Sequence, residues 1–159
     1  MTEAAEMGVH SANFYLGLMH LEGLKPARKD PELALDYYIK GAARNNAYCY
    51  FELSRIYGEG DLVPRDHRLQ FTYLKRAACE GFVTAQHLLG ISYAEGGNLC
   101  KRNDRLALAW FRESIRNGNI VSYLNAGDLL FEDRPGTPEE KGGLESNRLF
   151  ALINYLGAY

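Results

Sequence analysis

An all-α fold, a solenoid of about four stacked helix–turn–helix units, is what this sequence predicts, and two independent spacings predict it. Leu16-Gly17 is followed by Gly23, and the frame returns as Leu53-Ser54 with Gly60, Leu89-Gly90 with Gly96 and, altered, Ala126-Gly127 with Asp133. Residue 17 therefore steps to 54, 90 and 127 by 37, 36 and 37. Independently, Asp30, Asp66 and Asn103 lie three residues before Leu33, Leu69 and Leu106, stepping by 36 and 37. A fixed period of this length marks a repeat architecture. The length agrees, since 159 residues hold about four such periods.

Taken in order, residues 1–8, including Thr2-Glu3-Ala4-Ala5-Glu6-Met7-Gly8, look like the tail of a preceding helix, as in Arg76-Ala77-Ala78-Cys79-Glu80-Gly81. Units then run over about 9–46, 47–82, 83–119 and 120–159, together one repeat domain spanning 1–159. In each, helix A opens at His10, Ala47, Val83 or Ile120 and carries small and apolar residues at helical spacing, such as Ala85, Leu88, Leu89 and Tyr93. It stops at glycines such as Gly96-Gly97, whose free backbone suits a helix end. Helix B opens at Asp30-Pro31, Asp66 or Asn103, where a side-chain oxygen can accept hydrogen bonds from the first unpaired amides. Pro31 fits the first helical position. The B helices are expected to bury Leu33, Leu69 and Leu106 with the aromatic line Tyr37, Tyr73 and Trp110, ending near Asn45, Gly81 and Gly118. The chain is expected to stop inside a fourth B helix, at Ile153–Tyr159, and the loop before it, Asp133 to Asn147, is about six residues longer than its equivalents and rich in Gly and Pro. Such an insertion reads as a flexible loop or as a binding one.

Glycine in mid-helix costs about 1 kcal/mol relative to alanine, so Gly17 and Gly90 need a reason. Small residues there and at Ala42 and Ala78 let helix backbones approach, and His20, Tyr57 and Tyr93 are expected to fill the space between neighbouring hairpins. One hairpin cannot bury both faces, so units must stack.

The pattern in Ala12 to Gly23, followed by Asp30-Pro31-Glu32-Leu33-Ala34-Leu35-Asp36-Tyr37-Tyr38, resembles the Sel-one-like repeat family, relatives of the tetratricopeptide repeats. The likeness covers nearly the whole chain, with three good units and a degenerate fourth. It implies a right-handed superhelix that binds or scaffolds other proteins, the A helices lining its concave face. Groove positions are then Ser11, Phe14 and Leu18; Tyr48, Phe51 and Arg55; Thr84, His87 and Ile91; Val121, Leu124 and Asp128. Aromatics mixed with isolated charges suit a gripped peptide or helix. The same periodicity also allows Phe14, Phe51 and Leu124 to be core at a slightly different register.

The loops between A and B concentrate basic residues: Lys25, Arg28 and Lys29; Arg65 and Arg68; Lys101, Arg102 and Arg105. Positive charge at a helix start opposes the helix dipole. The ridge reads either as a grip on an acidic or phosphorylated partner segment or as a solvated edge. Neither end of the chain offers a polar cap of the kind solenoids need. That suggests a segment of a longer array, self-association, or a flanking chain at an open end, and with it the alternative of a structural subunit buried in a larger assembly.

The remaining observations exclude other classes. A formal charge of −2 removes the basic footprint of a nucleic-acid binder. The start is acidic where a signal peptide would be basic and then apolar, and no apolar run approaches a membrane span. With three cysteines in no metal or disulfide spacing and no N-x-S/T sequon, a cytoplasmic setting is expected. His10, His20, His67 and His87 show no ligand spacing, and there is no nucleophile elbow or phosphate loop, so no catalytic residue, metal or cofactor is expected. Glu22, Glu59, Glu95 and Glu132 recur in step but read as turn residues rather than a carboxylate ladder. Cys49 and Cys79 are expected to be buried and inert, and Cys100, beside Lys101 and Arg102, an ordinary loop thiol. The partner expected is a protein or peptide.

Overall fold

The computed structural model describes residues 3–97 and 99–132, with side chains at 11–97 and 99–130. Among them are seven helices and no strand: α1 (Glu3–Glu22), α2 (Pro31–Ala42), α3 (Ala47–Glu59), α4 (His67–Cys79), α5 (Val83–Glu95), α6 (Asp104–Arg116) and α7 (Val121–Glu132). The fold is an all-α repeat, with α1, α3, α5 and α7 in the place of the A helices and α2, α4 and α6 in that of the B helices. The long loop and the fourth B helix expected from the sequence lie outside the described residues.

Each B helix starts where the sequence places a cap. Asp30, Asp66 and Asn103 accept from the amides of Leu33, Leu69 and Leu106, each at 3.0 Å. The same three residues also tie the hairpin together. Their own backbone N–H groups donate to the carbonyls of His20 (2.8 Å), Tyr57 (2.9 Å) and Tyr93 (2.7 Å) in the preceding A helix. One residue thus ends the A–B loop and begins the B helix, which fixes the hairpin's geometry. Between units the chain turns through a left-handed residue, Asn45 at φ 58° or Gly81 at φ 86°.

Two compact units emerge. In the first, Met1–Ala85, α1 packs on α2, α2 on α3 and α3 on α4. Its buried residues include Ala34, Tyr38, Cys49, Leu53, Leu74 and Ala77. In the second, Gln86–Tyr159, α6 packs on α7 around Ala107, Phe111, Ile115, Ala126 and Leu129.

Five expectations need correction. The small sites receive a ring from the B helix of their own hairpin: a Cβ at Gly17 would sit 2.6 Å from Tyr38, and one at Gly90 would sit 2.6 Å from Phe111. The buried line of the B helices is consequently Tyr38, Leu74 and Phe111, one residue after Tyr37, Tyr73 and Trp110, which are half-buried, while Leu69 and Leu106 are exposed. His20 and Tyr57 likewise stay inside their hairpins, stacking on Tyr37 and Tyr73 at 5.7 Å each. Cys79 is exposed, since its position follows the last buried turn of α4, where the corresponding Ala43 and Arg116 are also exposed. Finally, α1 is continuous from Glu3 to Glu22, without a break near Gly8. Val9 offers no capping oxygen, and a single helical glycine costs only about 1 kcal/mol.

Candidate functional site

In the first unit the A-helix positions assemble a chain of aromatic rings. Tyr15 meets Phe14 edge-on at 5.4 Å, Phe14 meets Tyr48 at 5.2 Å, Tyr48 meets Phe82 at 5.1 Å and Phe82 meets Phe51 at 4.6 Å. These separations lie in the range where ring pairs attract beyond their buried area. Phe14, Phe51 and Phe82 are half-buried, so the rings are anchored, yet Tyr15 and Tyr48 remain 59% and 53% exposed. Phe14 and Phe51 are thus partly covered, and Tyr48 faces water.

Tyr15 and Phe82 are the members of this chain that sequence reasoning missed. Phe82 stands where the corresponding turns carry Asn46 and Asn119, which cap the following helices at Cys49 N and Ser122 N. That loss of a capping residue was the available signal.

Beside the rings, Arg55 is held by its own helix. Its guanidinium donates to Glu52 at 3.1 Å and to Glu59 at 2.7 Å. Ser11 and Leu18 are half-buried and Thr84 is exposed.

The second unit treats the corresponding positions differently. His87 is partly buried, its Nδ1 2.8 Å from the buried hydroxyl of Ser122 on α7, so it bridges two helices. Burial holds its pKa below the usual imidazole value. Ile91 packs against the core cluster. Val121 is exposed and Leu124 is 70% exposed, presenting an apolar start to α7. Asp128, the counterpart of Arg55, lines a notch with Glu95 and Arg102.

That notch, about 390 Å³, has an equivalent of about 280 Å³ in the first unit, lined by Glu22, Lys29, Arg55 and Glu59. Glu22 and Glu95, Lys29 and Arg102, and Arg55 and Asp128 are each 73 residues apart, two repeats. The repeat builds the same recess twice and reverses the charge of one wall. A separate hollow of about 450 Å³ lies between the start of α3 and α4, lined by Tyr50, Lys75, Arg76 and the exposed Cys79 among others.

All eight loop cations, Lys25, Arg28, Lys29, Arg65, Arg68, Lys101, Arg102 and Arg105, are exposed. Two are engaged locally: Arg65 donates to the Glu59 carbonyl at 2.9 Å, and Arg102 forks onto Asp104 at 2.8 and 3.2 Å. Of the thiols, Cys49 is buried and its pKa is pushed up to about 12 by desolvation, with Glu52 adding to it. Cys100 donates to the Ser92 carbonyl at 3.2 Å. Among the described residues no cluster of His, Cys, Asp and Glu could hold a metal, and no helix is long and apolar enough to cross a membrane.

Comparison with known proteins supplies the lineage of this arrangement. The family model described as Sel1 repeat matches residues 10–46, 47–82 and 83–119. The crystal structure of a Sel1 repeat protein from Oxalobacter formigenes is similar, with a TM-score of 0.70 and 28% identity, covering 78% of this chain and 92% of that one. Chitin synthase regulatory factor 3 of Schizosaccharomyces pombe is 28% identical over 114 residues, and chitin synthase regulator SKT5 of Saccharomyces cerevisiae 27% over 117. Those alignments cover 69% and 72% of this chain but only 12% and 17% of the two fungal proteins.

Proposed function

From the premise that this chain belongs to the Sel1 repeat family, we propose that it is a binding module, an adaptor or scaffold that takes segments of another protein on the exposed A-helix face of each of its two compact units. The observation that carries this reading is that the A helices keep large apolar side chains in water: Tyr15 and Tyr48 in the first unit, Val121 and Leu124 in the second. Solvated aromatic and aliphatic groups on a rigid helical frame gain most by desolvation against a partner, and such residues dominate binding energies. Ser11, Phe14, Leu18, Phe51, Arg55 and Thr84 frame that surface in the first unit, and Ile91 and Asp128 in the second. The basic loops suit an acidic or phosphorylated stretch of the same partner.

The fungal relatives bear the name of chitin synthase regulators, which favours a regulatory, non-catalytic role. Their low identity over a small part of their length carries no particular target to this chain. Quantitative affinity capture tests the reading. Replacing Tyr48 by Ala together with Leu124 by Ser should abolish partner recovery while the helical content is retained; undiminished recovery would reject it.

A structural subunit is the second reading, favoured by one observation. Leu16 is 36% exposed, whereas its repeat counterparts Leu53 and Leu89 are fully buried, so α1 presents an open stacking face. A subunit of this kind should be insoluble when purified without its neighbours, and an adaptor should be soluble.

A further inference from the structure

The partner's chemistry at the first unit can be taken a step further, resting on the reading of the A-helix face as the binding surface. We infer that this face recognises a polypeptide segment carrying Arg or Lys beside apolar anchors, a cationic rather than an acidic ligand. The described part of α1 and all of α3, residues 11–22 and 47–59, carry three carboxylates, Glu22, Glu52 and Glu59, against one guanidinium, Arg55, and no lysine. Arg55 is shared between Glu52 and Glu59, and in the adjoining recess the charge of Lys29 is offset by that of Asp61, so the positive groups are compensated and the surplus is negative.

On α3 Tyr48 lies one helical turn before Glu52, and the exposed rings of Tyr15 and Tyr48 are held by contact with Phe14 and Phe82, the latter against Phe51. The face of an aromatic ring is its negative pole and attracts a guanidinium or ammonium. Carboxylates and ring faces therefore act in the same direction. The chain pairs cations with rings elsewhere, with Arg76 5.7 Å from the centroid of the buried Tyr50 and Lys40 5.5 Å from that of Tyr37. On the A-helix face the rings are ordered in advance, so a ligand loses little to arranging them. The cationic loop residues Lys25, Arg28 and Arg68 would repel such a segment if it strayed from the rings, which fixes its placement. An acidic segment would meet the reverse, attraction at the loops and repulsion along α3.

The test is selection from a random 12-residue peptide display library on the full 159-residue chain. Each recovered peptide is then synthesised and measured against wild type, Tyr48→Ala, Tyr15→Ser and the pair Glu52→Gln with Glu59→Gln. Peptides that need Tyr48 should be enriched in Arg or Lys beside Leu or aromatic residues. They should lose about thirtyfold or more in affinity on Tyr48→Ala, the loss that marks an interface hot spot. They should also weaken on the double Gln substitution and with rising salt. Tyr15→Ser, at an exposed position, provides an independent second reading should Tyr48→Ala disturb the ring chain. If the Tyr48-dependent peptides are acidic or uncharged, the cationic inference fails and the binding face stands. If no recovered peptide depends on Tyr48 or Tyr15, both fail.

Discussion

A hydroxyl without a partner sits inside the first hairpin. Tyr38 is fully buried, its oxygen has no hydrogen-bond partner among the described residues, and burial raises its pKa further above the usual phenol value. Its counterpart two repeats on, Phe111, fills the same place over Gly90 with no hydroxyl at all. A buried polar group left unpaired costs about 1–3 kcal/mol. Tyr38→Phe should therefore leave stability unchanged or raise it by about 1 kcal/mol, read as the shift of a urea midpoint; a fall of that size would show that the hydroxyl is satisfied after all. The cysteines give a second expectation at this scale. Thiolate is the reactive species, and the thiol of Cys49 is both buried and shifted up to about 12. At pH 8 a maleimide should modify Cys79 within minutes and Cys49 only after unfolding, as peptide mass spectrometry would show. Equal labelling of the two would contradict the burial.

The first and third hairpins set a ring against a missing side chain, so substituting the small site tests the element as a whole. In an open helix Gly→Ala would gain up to about 1 kcal/mol. At Gly90 the new methyl would lie 2.6 Å from Phe111, and overpacking of that kind costs about 1–3 kcal/mol. Gly90→Ala should thus destabilise, and pairing it with Phe111→Leu should recover part of the loss. Between α5 and α7 the bridge is His87 to Ser122. Because the folded pKa of His87 is depressed by burial, the unfolded chain takes up the proton first. The contribution is intact above the unfolded value near 6.5 and is lost as pH falls from there through the folded value. The stability difference between wild type and His87→Gln should accordingly narrow as pH drops from 7 to 5; a difference independent of pH would remove the bridge from the account.

Across the whole molecule, the repeat was legible because its signals are local. Asp30, Asp66 and Asn103 cap helices wherever they stand, and a period of 36 to 37 residues shows itself in sequence. The facing of each side chain was legible only to within one residue. A B helix can bury either Tyr37 or Tyr38, and the choice is settled by which one meets Gly17 across the hairpin, a contact between residues far apart in the chain. The chain of aromatic rings was half readable for the same reason. Tyr48 is exposed on α3, and Tyr15 and Phe82 join it through ring contacts that no spacing rule contains. Arg55 looked like a free charge until Glu52 and Glu59, one turn to either side, claimed it. The central claim is that a repeat built for stacking turns its A helices toward another protein. It is tested most directly by mapping amide chemical shifts of the isotope-labelled chain during titration with a Tyr48-dependent peptide. The account predicts perturbations concentrated at residues 14–18, 48–55 and 82. Changes confined to the α4 hollow around Thr72, Lys75 and Cys79, or to the basic loops alone, would contradict it.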